Sequence, residues 1–598
     1  MLRRRSRLLT AALGGLSALA LALPAPPAAA TPRATTKTPT AVGSGGAVAT
    51  VDPEATRVGL DVLRGGGNAV DAAVAAAATL GVTEPYSAGI GGGGFFVYYD
   101  AASGSVHTID GRETAPAAMR EDSFRENGTP IAFADAVSSG LSVGVPGTPA
   151  TWQEALDRWG TLSLDAALRP AEQVADRGFV VDQTFHQQTA DNQQRFSYFT
   201  STSDLYLPSG QPPAVGSVFR NRDLAATYRE LGREGVDWLY DGSLAAEVVR
   251  TVQQPPVDPS SGWYARPGLM ERTDLAAYDA PLREPTHVGY RGLDVYGMAP
   301  PSSGGSTVGE ALNILENADV GSMTRTQAMH HYLEASALSF ADRGEYVGDP
   351  DQVDVPLQQL LSDGFAKERF CQIDPGHAAA KPVPAGAPDG DYATDCGATA
   401  AGVRAADHEG LSTSHLTVAD RWGNVVSYTL TIEQTGGSGI VVPGRGFLLN
   451  NELTDFNFAP AAGVESDPNL PAPGKRPRSS MSPTIVLDDG RPFLAVGSPG
   501  GSTIITTVLQ VLVDRLDLGM TLPQAIADPR ASQRNTRTVQ AEPGFETTGL
   551  AALGHQFTAN PEIGAATGVE FLGDGRLLAA AEPVRRGGGS AGVVAPSP

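Results

Sequence analysis

The chain has 598 residues, 41% of them hydrophobic and 18% charged, with a formal net charge of −23. That length exceeds what one hydrophobic core usually organises, and the apolar and charged fractions exclude a disordered chain. So acidic a protein does not favour nucleic acid or anionic membrane as partner, and its 70 glycines and 45 prolines follow no collagen period.

The chain opens on Arg3, Arg4, Arg5 and Arg7, then an apolar run from Leu8 to Leu23, then Ala28-Ala29-Ala30. A basic start, a short apolar stretch and small residues make a secretory signal over residues 1–30, too short and Ala-rich for a membrane anchor. Loss of its four arginines takes the formal charge of −23 to about −27. No later run of about 18 apolar residues follows, so the mature protein is expected to be secreted and soluble. Residues 31–46 are rich in Thr, Pro and Ala and read as a flexible leader, with order beginning near Ala47.

Asn68 is an N-cap, with Asp71 three residues on, for a helix reaching about Leu80. Gly89 to Gly94 matches G-x-G-x-x-G but opens no helix, so it reads as a tight turn into a buried strand. Gly140-Leu141-Ser142-Val143-Gly144 matches the serine-hydrolase elbow, but Pro146 and Pro149 block the helix that chemistry needs, and Ser142 is set aside. Leu333, Ala337 and Phe340 recur at helical spacing in a helix from Arg325 to Arg343. His330 and His331 lie on it without a second histidine four residues away, and no metal is assigned. Cys371 and Cys396 are the only cysteines. Export favours an oxidised pair, contributing about 3 kcal/mol across its Gly/Pro/Ala-rich loop.

The stretch from Asp374 to about Gly410 has no periodicity and reads as an exposed loop. Two hairpins follow. His415 to Val418 returns through Asp420–Asn424 as Val425 to Ile432, and Thr484 to Leu487 returns as Pro492 to Val496. After Gly500-Gly501, Ser502 is expected to cap a helix to about Leu516. Strands covered by helices suggest stacked sheets between helical layers. The tail from Arg585 to Pro598 reads as loose.

Thr413 stands where the loop ends and the first strand begins. A threonine hydroxyl is a poor nucleophile until a base sits beside it. As a new N-terminus, Thr413 would have its own α-amino group, whose pKa near 8 leaves a neutral fraction at pH 7. Composition alone would make Thr413 an ordinary strand residue. The run Thr413-Ser414-His415 through Asp420, Gly423-Asn424 and Thr429 to Thr431 resembles the start of the small subunit of gamma-glutamyltransferases. Lys475 to Thr484, Gly497 to Ser502, Gly65 to Ala72, Gly89 to Gly92, Asp110 to Pro116 and Pro300 to Gly305 resemble the same family, in order, over roughly residues 47 to 580.

The resemblance implies an α+β fold, a four-layer αββα sandwich of the N-terminal nucleophile hydrolase type. It implies a precursor cut between Ser412 and Thr413 into a large subunit (47–412) and a small catalytic subunit (413–598), which stay together as a heterodimer. Thr413 would be the nucleophile, Thr431 would orient it, and Gly500 and Gly501 would offer oxyanion-hole N–H groups at a helix start. Arg112, Ser479 and Ser480 would hold the substrate α-carboxylate, and Glu452 and Asp455 the α-ammonium. The implied reaction is transfer of a γ-glutamyl group, from glutathione or another γ-glutamyl amide, through Thr413 to water, an amino acid or a peptide, with no cofactor or metal.

The chain departs from the family in three places. Glu433 replaces an asparagine near the α-amino group, which would put a third acid beside Glu452 and Asp455; pairing of Glu433 with a nearby arginine is the alternative. Ser414 replaces a threonine. The segment Asn457 to Gly474 is shorter than a lid and has no tyrosine, which suggests an open cover. Other readings are an acylase for glutaryl or beta-lactam side chains, a biosynthetic or capsule-handling enzyme on the same scaffold, and a processed binding protein without catalysis. Glu452 and Asp455 argue against the first, export against the biosynthetic reading, and Thr413, Thr431, Gly500 and Gly501 against the last.

Overall fold

A computed structural model describes residues 36–393, 396, 412–460 and 467–597. The signal segment, residues 1–30, lies outside the described residues, as do 31–35 of the leader.

Thirteen strands form one antiparallel sheet among the described residues. In chain order they are β1 (Thr40–Thr50), β2 (Gly93–Asp100), β3 (Ser105–Gly111), β4 (Leu282–Arg283), β5 (Thr286–Tyr290), β6 (Leu293–Gly297), β7 (Ser414–Asp420), β8 (Val425–Thr431), β9 (Thr484–Asp488), β10 (Arg491–Gly497), β11 (Thr567–Phe571), β12 (Leu577–Ala581) and β13 (Ser590–Pro596). The order across the sheet is β4-β3-β2-β8-β7-β1-β12-β11-β10-β9-β6-β5, with β13 also on β1. β1 joins two halves: Thr40–Gly43 pairs with β12, and Gly46–Ala49 pairs with β7. The sheet folds over there, so that β7 and β8 lie against β11 and β10.

Helices cover both outer faces. On one side lie α1 (Pro53–Arg64), α2 (Ala69–Thr83), α3 (Thr148–Trp159) and α4 (Leu164–Arg177); on the other lie α5 (Gly304–Glu316), α6 (Arg325–Tyr346) and α7 (Thr503–Leu516). This is the expected four-layer sandwich. The alternation of β8 shows the layering directly: Val426, Tyr428 and Leu430 join the core under α1 to α4, while Val425 joins the core between the sheets.

Every residue of α2 is buried, so its Ala-rich sequence needs no polar face. Its cap is as the sequence indicates. Asp71 N–H donates to Asn68 Oδ1 at 3.0 Å, and Asn68 N–H donates to Asp71 Oδ2 at 2.8 Å. Asp420 then ties the β7–β8 turn to this helix. Its carboxylate accepts from Trp422 N at 2.8 Å and Asn424 N at 3.0 Å within the turn, and from Ala69 N at 3.0 Å at the helix start. The closed end of the hairpin is thereby fixed, and the open end carries Thr413 and Thr431.

Three expectations are corrected. Regular structure is already present at Thr40, ahead of Ala47, because β1 pairs with β12 there. The tail is not loose: β13 pairs with β1 from Gly43 to Thr50. In both segments the small residues that read as linker are what close approach requires. A Cβ on Gly43 would stand 2.1 Å from Ala595 O, and one on Gly592 would stand 2.6 Å from Leu60 Cδ1. Ser502 does not cap α7 through its side chain; Arg534 takes its hydroxyl instead.

His415 points into the space between the sheets. Its Nδ1 lies 2.8 Å from Thr429 Oγ1 and its Nε2 lies 3.2 Å from Thr417 Oγ1. Burial pushes its pKa down to about 3, so it is a neutral structural histidine. Gly497 leaves room for its ring, since an added Cβ would lie 2.2 Å from Cε1. Gly497→Ala should therefore destabilise the protein by about 1–3 kcal/mol. Chemical denaturation of the purified variant checks this, and an unchanged midpoint would show that the ring can shift freely.

Candidate active site

The antiparallel register of the β7–β8 hairpin pairs Ser414 with Leu430. One step further along the same register sets Thr413 opposite Thr431, and the two side chains meet. Thr413 Oγ1 lies 3.3 Å from Thr431 Oγ1. Both hydroxyls also reach the carbonyl of Ser412, from Thr413 Oγ1 at 2.7 Å and from Thr431 Oγ1 at 2.9 Å. Thr431 Oγ1 accepts from Glu433 N–H at 2.9 Å, which leaves its own hydrogen for Ser412 O. All three residues are buried. The chain is continuous here, so Thr413 has an amide rather than an amine. Its hydroxyl sits beside the carbonyl that an N-to-O acyl shift would attack, and a second hydroxyl donates to the oxygen that would become negative.

Gly500 (φ +138°) and Gly501 (φ +56°) link β10 to α7. Side chains rarely adopt this conformation, and a Cβ on Gly500 would also stand 2.6 Å from Thr503 Oγ1. Their carbonyls begin the helix by accepting from Thr503 N and Ile504 N. Among the described residues no protein group accepts either glycine N–H, so both are available at the positive end of α7.

Arg112, just past the end of β3, anchors a second cluster. Its Nη1 donates to Glu452, and its Nη2 donates to Asp455 Oδ2 at 2.5 Å. Nε and Nη2 also reach the carbonyls of Pro477 and Arg478, each at 3.0 Å. The planar fork thus joins two carboxylates to the strap that carries Ser479 and Ser480. Arg112 and Glu452 are each only 1% exposed, so removal of one would strand a buried charge. Ser479 N–H donates to Pro301 O at 3.0 Å, and Ser479 O accepts Ser303 N–H at 2.7 Å, which binds the Pro300–Gly305 segment to this strap. Ser480 Oγ accepts from Arg343 Nη2 at 2.9 Å. Asn469, from the short segment after Asn457, bridges the cluster: it donates to Asp455 O at 2.6 Å and accepts from Arg478 N at 2.8 Å.

Two of the three acids expected together share a partner. Glu452 and Asp455 meet on Arg112, whereas Glu433 accepts from Asn451 Nδ2 and lies in the field of Arg195. Glu433 holds a backbone φ of +76°, unusual for a residue with a side chain.

The sequence reading missed two residues. Arg343, at the end of the helix it identified, supports Ser480. Glu113, beside Arg112, is fully buried, and both its oxygens are without a hydrogen-bond partner among the described residues. Burial, then the neighbouring Glu452, hold its carboxyl well above the usual range. A Cβ on Gly93 would lie 2.5 Å from Glu113 Oε2, so that glycine makes room for the acid.

The setting aside of Ser142 agrees with its surroundings: it is buried and donates to Val137 O and Ser139 O, each at 2.9 Å. Gly89 to Gly92 turns into the buried strand β2. His330, Glu334 and His555 bring three donor atoms within 4.8 Å of one another. The ammonium of Lys381 lies 2.7 and 2.8 Å from the two Glu334 oxygens, so a side-chain cation already neutralises that carboxylate. Cys371 and Cys396 form the expected disulfide. No helix of the described residues is long and apolar enough to cross a membrane.

A sequence profile described as Gamma-glutamyltranspeptidase matches residues 55–592. Among similar proteins, a "Glutathione hydrolase proenzyme" of Bacillus subtilis (strain 168) is 41% identical over 529 residues, covering 87% of this chain and 86% of its own. A protein of the same name in Escherichia coli (strain K12) is 36% identical over 556 residues, covering 90% of each chain. Among solved structures, cephalosporin acylase from Bacillus halodurans superposes with a TM-score of 0.79 at 28% identity, over 96% of this chain and 99% of its own.

Glu113 yields a prediction with a definite sign. A carboxyl whose pKa is raised on folding binds its proton more tightly in the folded chain. Stability is then full below the ordinary value of 4.5 and falls as pH rises from there towards the folded pKa. Glu113→Gln should make that fall shallower by up to about 1.4 kcal/mol per pH unit. Unfolding midpoints of parent and variant from pH 5 to 8 check this, and parallel profiles would show that Glu113 is ionised in the folded chain.

Proposed function

The chain belongs to the gamma-glutamyltranspeptidase family, and from that premise we propose that it is a glutathione hydrolase and gamma-glutamyltransferase, made as a proenzyme that cuts itself between Ser412 and Thr413. The observation that carries this reading is the pair of threonine hydroxyls on the Ser412 carbonyl.

Self-cleavage begins when Thr413 Oγ attacks the Ser412 carbonyl carbon. The oxyanion that forms takes the hydrogen bond of Thr431. The C–N bond breaks, the nitrogen takes the proton lost by the hydroxyl, and an ester joins Ser412 to Thr413 Oγ. Water hydrolyses that ester and leaves a Ser412 carboxylate and a free Thr413 amine. The amine is then the base that the hydroxyl needs. In turnover it takes the Thr413 proton as Oγ attacks the γ-carbonyl of the donor, and the leaving amine departs with that proton. Gly500 and Gly501 N–H stabilise the oxyanion. The γ-glutamyl ester on Thr413 then passes to water, an amino acid or a peptide.

Arg112 and the Ser479–Ser480 strap receive the donor α-carboxylate, and Glu452 and Asp455 the α-ammonium. A zwitterionic α-amino acid head presents one charge of each sign, and this cluster offers a matching cation and two carboxylates side by side. An acylase for glutaryl or beta-lactam side chains, the activity nearer the name of the superposed structure, has no ammonium to bind, and two buried carboxylates would then be uncompensated by substrate. The large and small parts remain together as a heterodimer, since β1 of one pairs with β7 of the other. The basic, apolar and small-residue start of the chain supports export.

Mass spectrometry of the purified protein, with release of a chromogenic amine from a γ-glutamyl amide, tests the reading. Thr413→Ala should remain one chain. Thr431→Val should cut itself about 100-fold more slowly, and Thr431→Ser close to normally. A fragment that begins elsewhere than Thr413, or normal splitting of Thr413→Ala, would overturn the cut site. Arg112→Lys keeps the charge but loses the fork, and should raise KM for the donor about tenfold or more without slowing self-cleavage. An unchanged KM would remove Arg112 from the donor site.

A further inference from the structure

One side chain grips the chain on both sides of the Ser412–Thr413 peptide. Arg586 stands 173 residues beyond Thr413, and its Nη1 donates to the Thr413 carbonyl at 2.7 Å. Its Nη2 donates to Ser87 Oγ at 3.0 Å. Ser87 Oγ lies 2.8 Å from Ser412 Oγ, and Ser412 Oγ donates to Tyr86 O at 2.9 Å. A hydroxyl has one hydrogen, and that of Ser412 is committed to Tyr86 O, so Ser87 must donate to Ser412. The chain of donors therefore runs in one direction, from guanidinium to Ser87 to Ser412 to the Tyr86 carbonyl. Each link polarises the next.

We propose that Arg586, acting through Ser87, is a positioning residue for self-cleavage: its fork holds the Thr413 carbonyl with one nitrogen and the Ser412 side chain, by way of Ser87, with the other. The proposal rests on the reading that the chain cuts itself before Thr413. An N-to-O acyl shift needs the hydroxyl and the carbonyl carbon in one narrow geometry, and a displacement of about 1 Å costs about 100-fold in rate. The hydroxyls of Thr413 and Thr431 supply the reacting groups. Arg586 and Ser87 fix the backbone that carries them.

The segment around Arg586 is built to hold this pose. Arg586 has a φ of +54°, which a side-chain-bearing residue adopts at a cost. Its N–H donates to Glu562 Oε2 at 3.2 Å, and its carbonyl accepts from Thr184 Oγ1 at 3.1 Å. Gly587 follows so closely that a Cβ would stand 2.2 Å from Thr184 Oγ1. Lys37 Nζ donates to Gly588 O at 2.8 Å. Burial lowers the Arg586 guanidinium pKa, and the carboxylates of Glu84 and Glu562 offset that only in part. Arg585, next in the chain, has a different job: it is committed to Glu542 and Glu582.

Pulse-labelled chain tests this, with conversion to two fragments followed over time for wild type, Arg586→Met, Arg586→Lys and Ser87→Ala. Arg586→Met should cut itself about 100-fold more slowly, and Arg586→Lys should recover part of the rate. Ser87→Ala should slow cleavage about tenfold, and added N-ethylguanidinium should speed cleavage of Arg586→Met. Thermal midpoints are compared in the uncut Thr413→Ala background, with and without Arg586→Met, and should agree. Wild-type cleavage rates in Arg586→Met or Ser87→Ala would overturn the proposal. So would slow cleavage that follows a fallen midpoint and does not respond to the guanidinium ion. If Arg586→Met does not fold, Ser87→Ala decides alone. The first residue of the wild-type small fragment separates the two readings: any residue but Thr413 defeats the cut site itself, whatever the Arg586 variants do.

Discussion

The carbonyl of Ser412 is the point on which the other features depend. Two hydroxyls converge on it, and each is placed by the β7–β8 register, which allows only one partner opposite Thr413. A slip of one residue would turn Thr431 to the opposite face of the sheet and leave the carbonyl with one donor. Register is set at the far end of the hairpin, where the Asp420 carboxylate ties the turn to the N-terminus of α2. α2 is in turn held by its capping box and by complete burial. A carboxylate some 20 Å from the threonines, by strand length, thus governs their alignment.

The cluster around Arg112 poses a different problem. Four ionisable groups, Arg112, Glu113, Glu452 and Asp455, lie together with their side chains almost wholly buried. Desolvation there, and then the neighbouring Glu452, push the Glu113 carboxyl well above its usual range and so favour its neutral form. A ligand with an ammonium and a carboxylate adds no net charge, but its ammonium can approach Glu452 and Asp455 while its carboxylate approaches Arg112. Each protein group exchanges part of one ion pair for part of another, so the binding of a zwitterion costs less desolvation than that of a single ion.

Much of this was legible in the sequence, for identifiable reasons. The Asn68 cap, both hairpins, the helix from Arg325 and the cysteine pair were local patterns, and local patterns survive folding. Stacked sheets between helical layers followed from strands covered by helices, whereas the four-layer type and the grouping of Thr413 with Thr431 and of Arg112 with Glu452 and Asp455 came from the resemblance. What escaped was long-range or depended on space. Gly43 and Gly592 read as linker because closeness to Ala595 and Leu60 is invisible along the chain. Glu113 stands in the run Asp110 to Pro116, but nothing in that run distinguishes a buried acid from an exposed one. Glu433, expected near the α-amino group because the family has an asparagine there, accepts from Asn451 at a backbone φ of +76° that no sequence pattern announces.

If the chain is cut before Thr413 as proposed, the geometry also explains why the uncut form does not act early. The hydroxyl of Thr413 donates to the carbonyl of Ser412 and so has no base to take its proton, because the amide nitrogen beside it has no lone pair to offer. The same hydrogen bond that readies the hydroxyl for its own peptide withholds it from any other carbonyl. In the proposed cut, the acyl shift first frees the amine and hydrolysis of the ester then frees the hydroxyl, so the order of activation is set within one residue. It follows from placing the nucleophile and the base on one residue, at the first position of a strand whose register is already fixed.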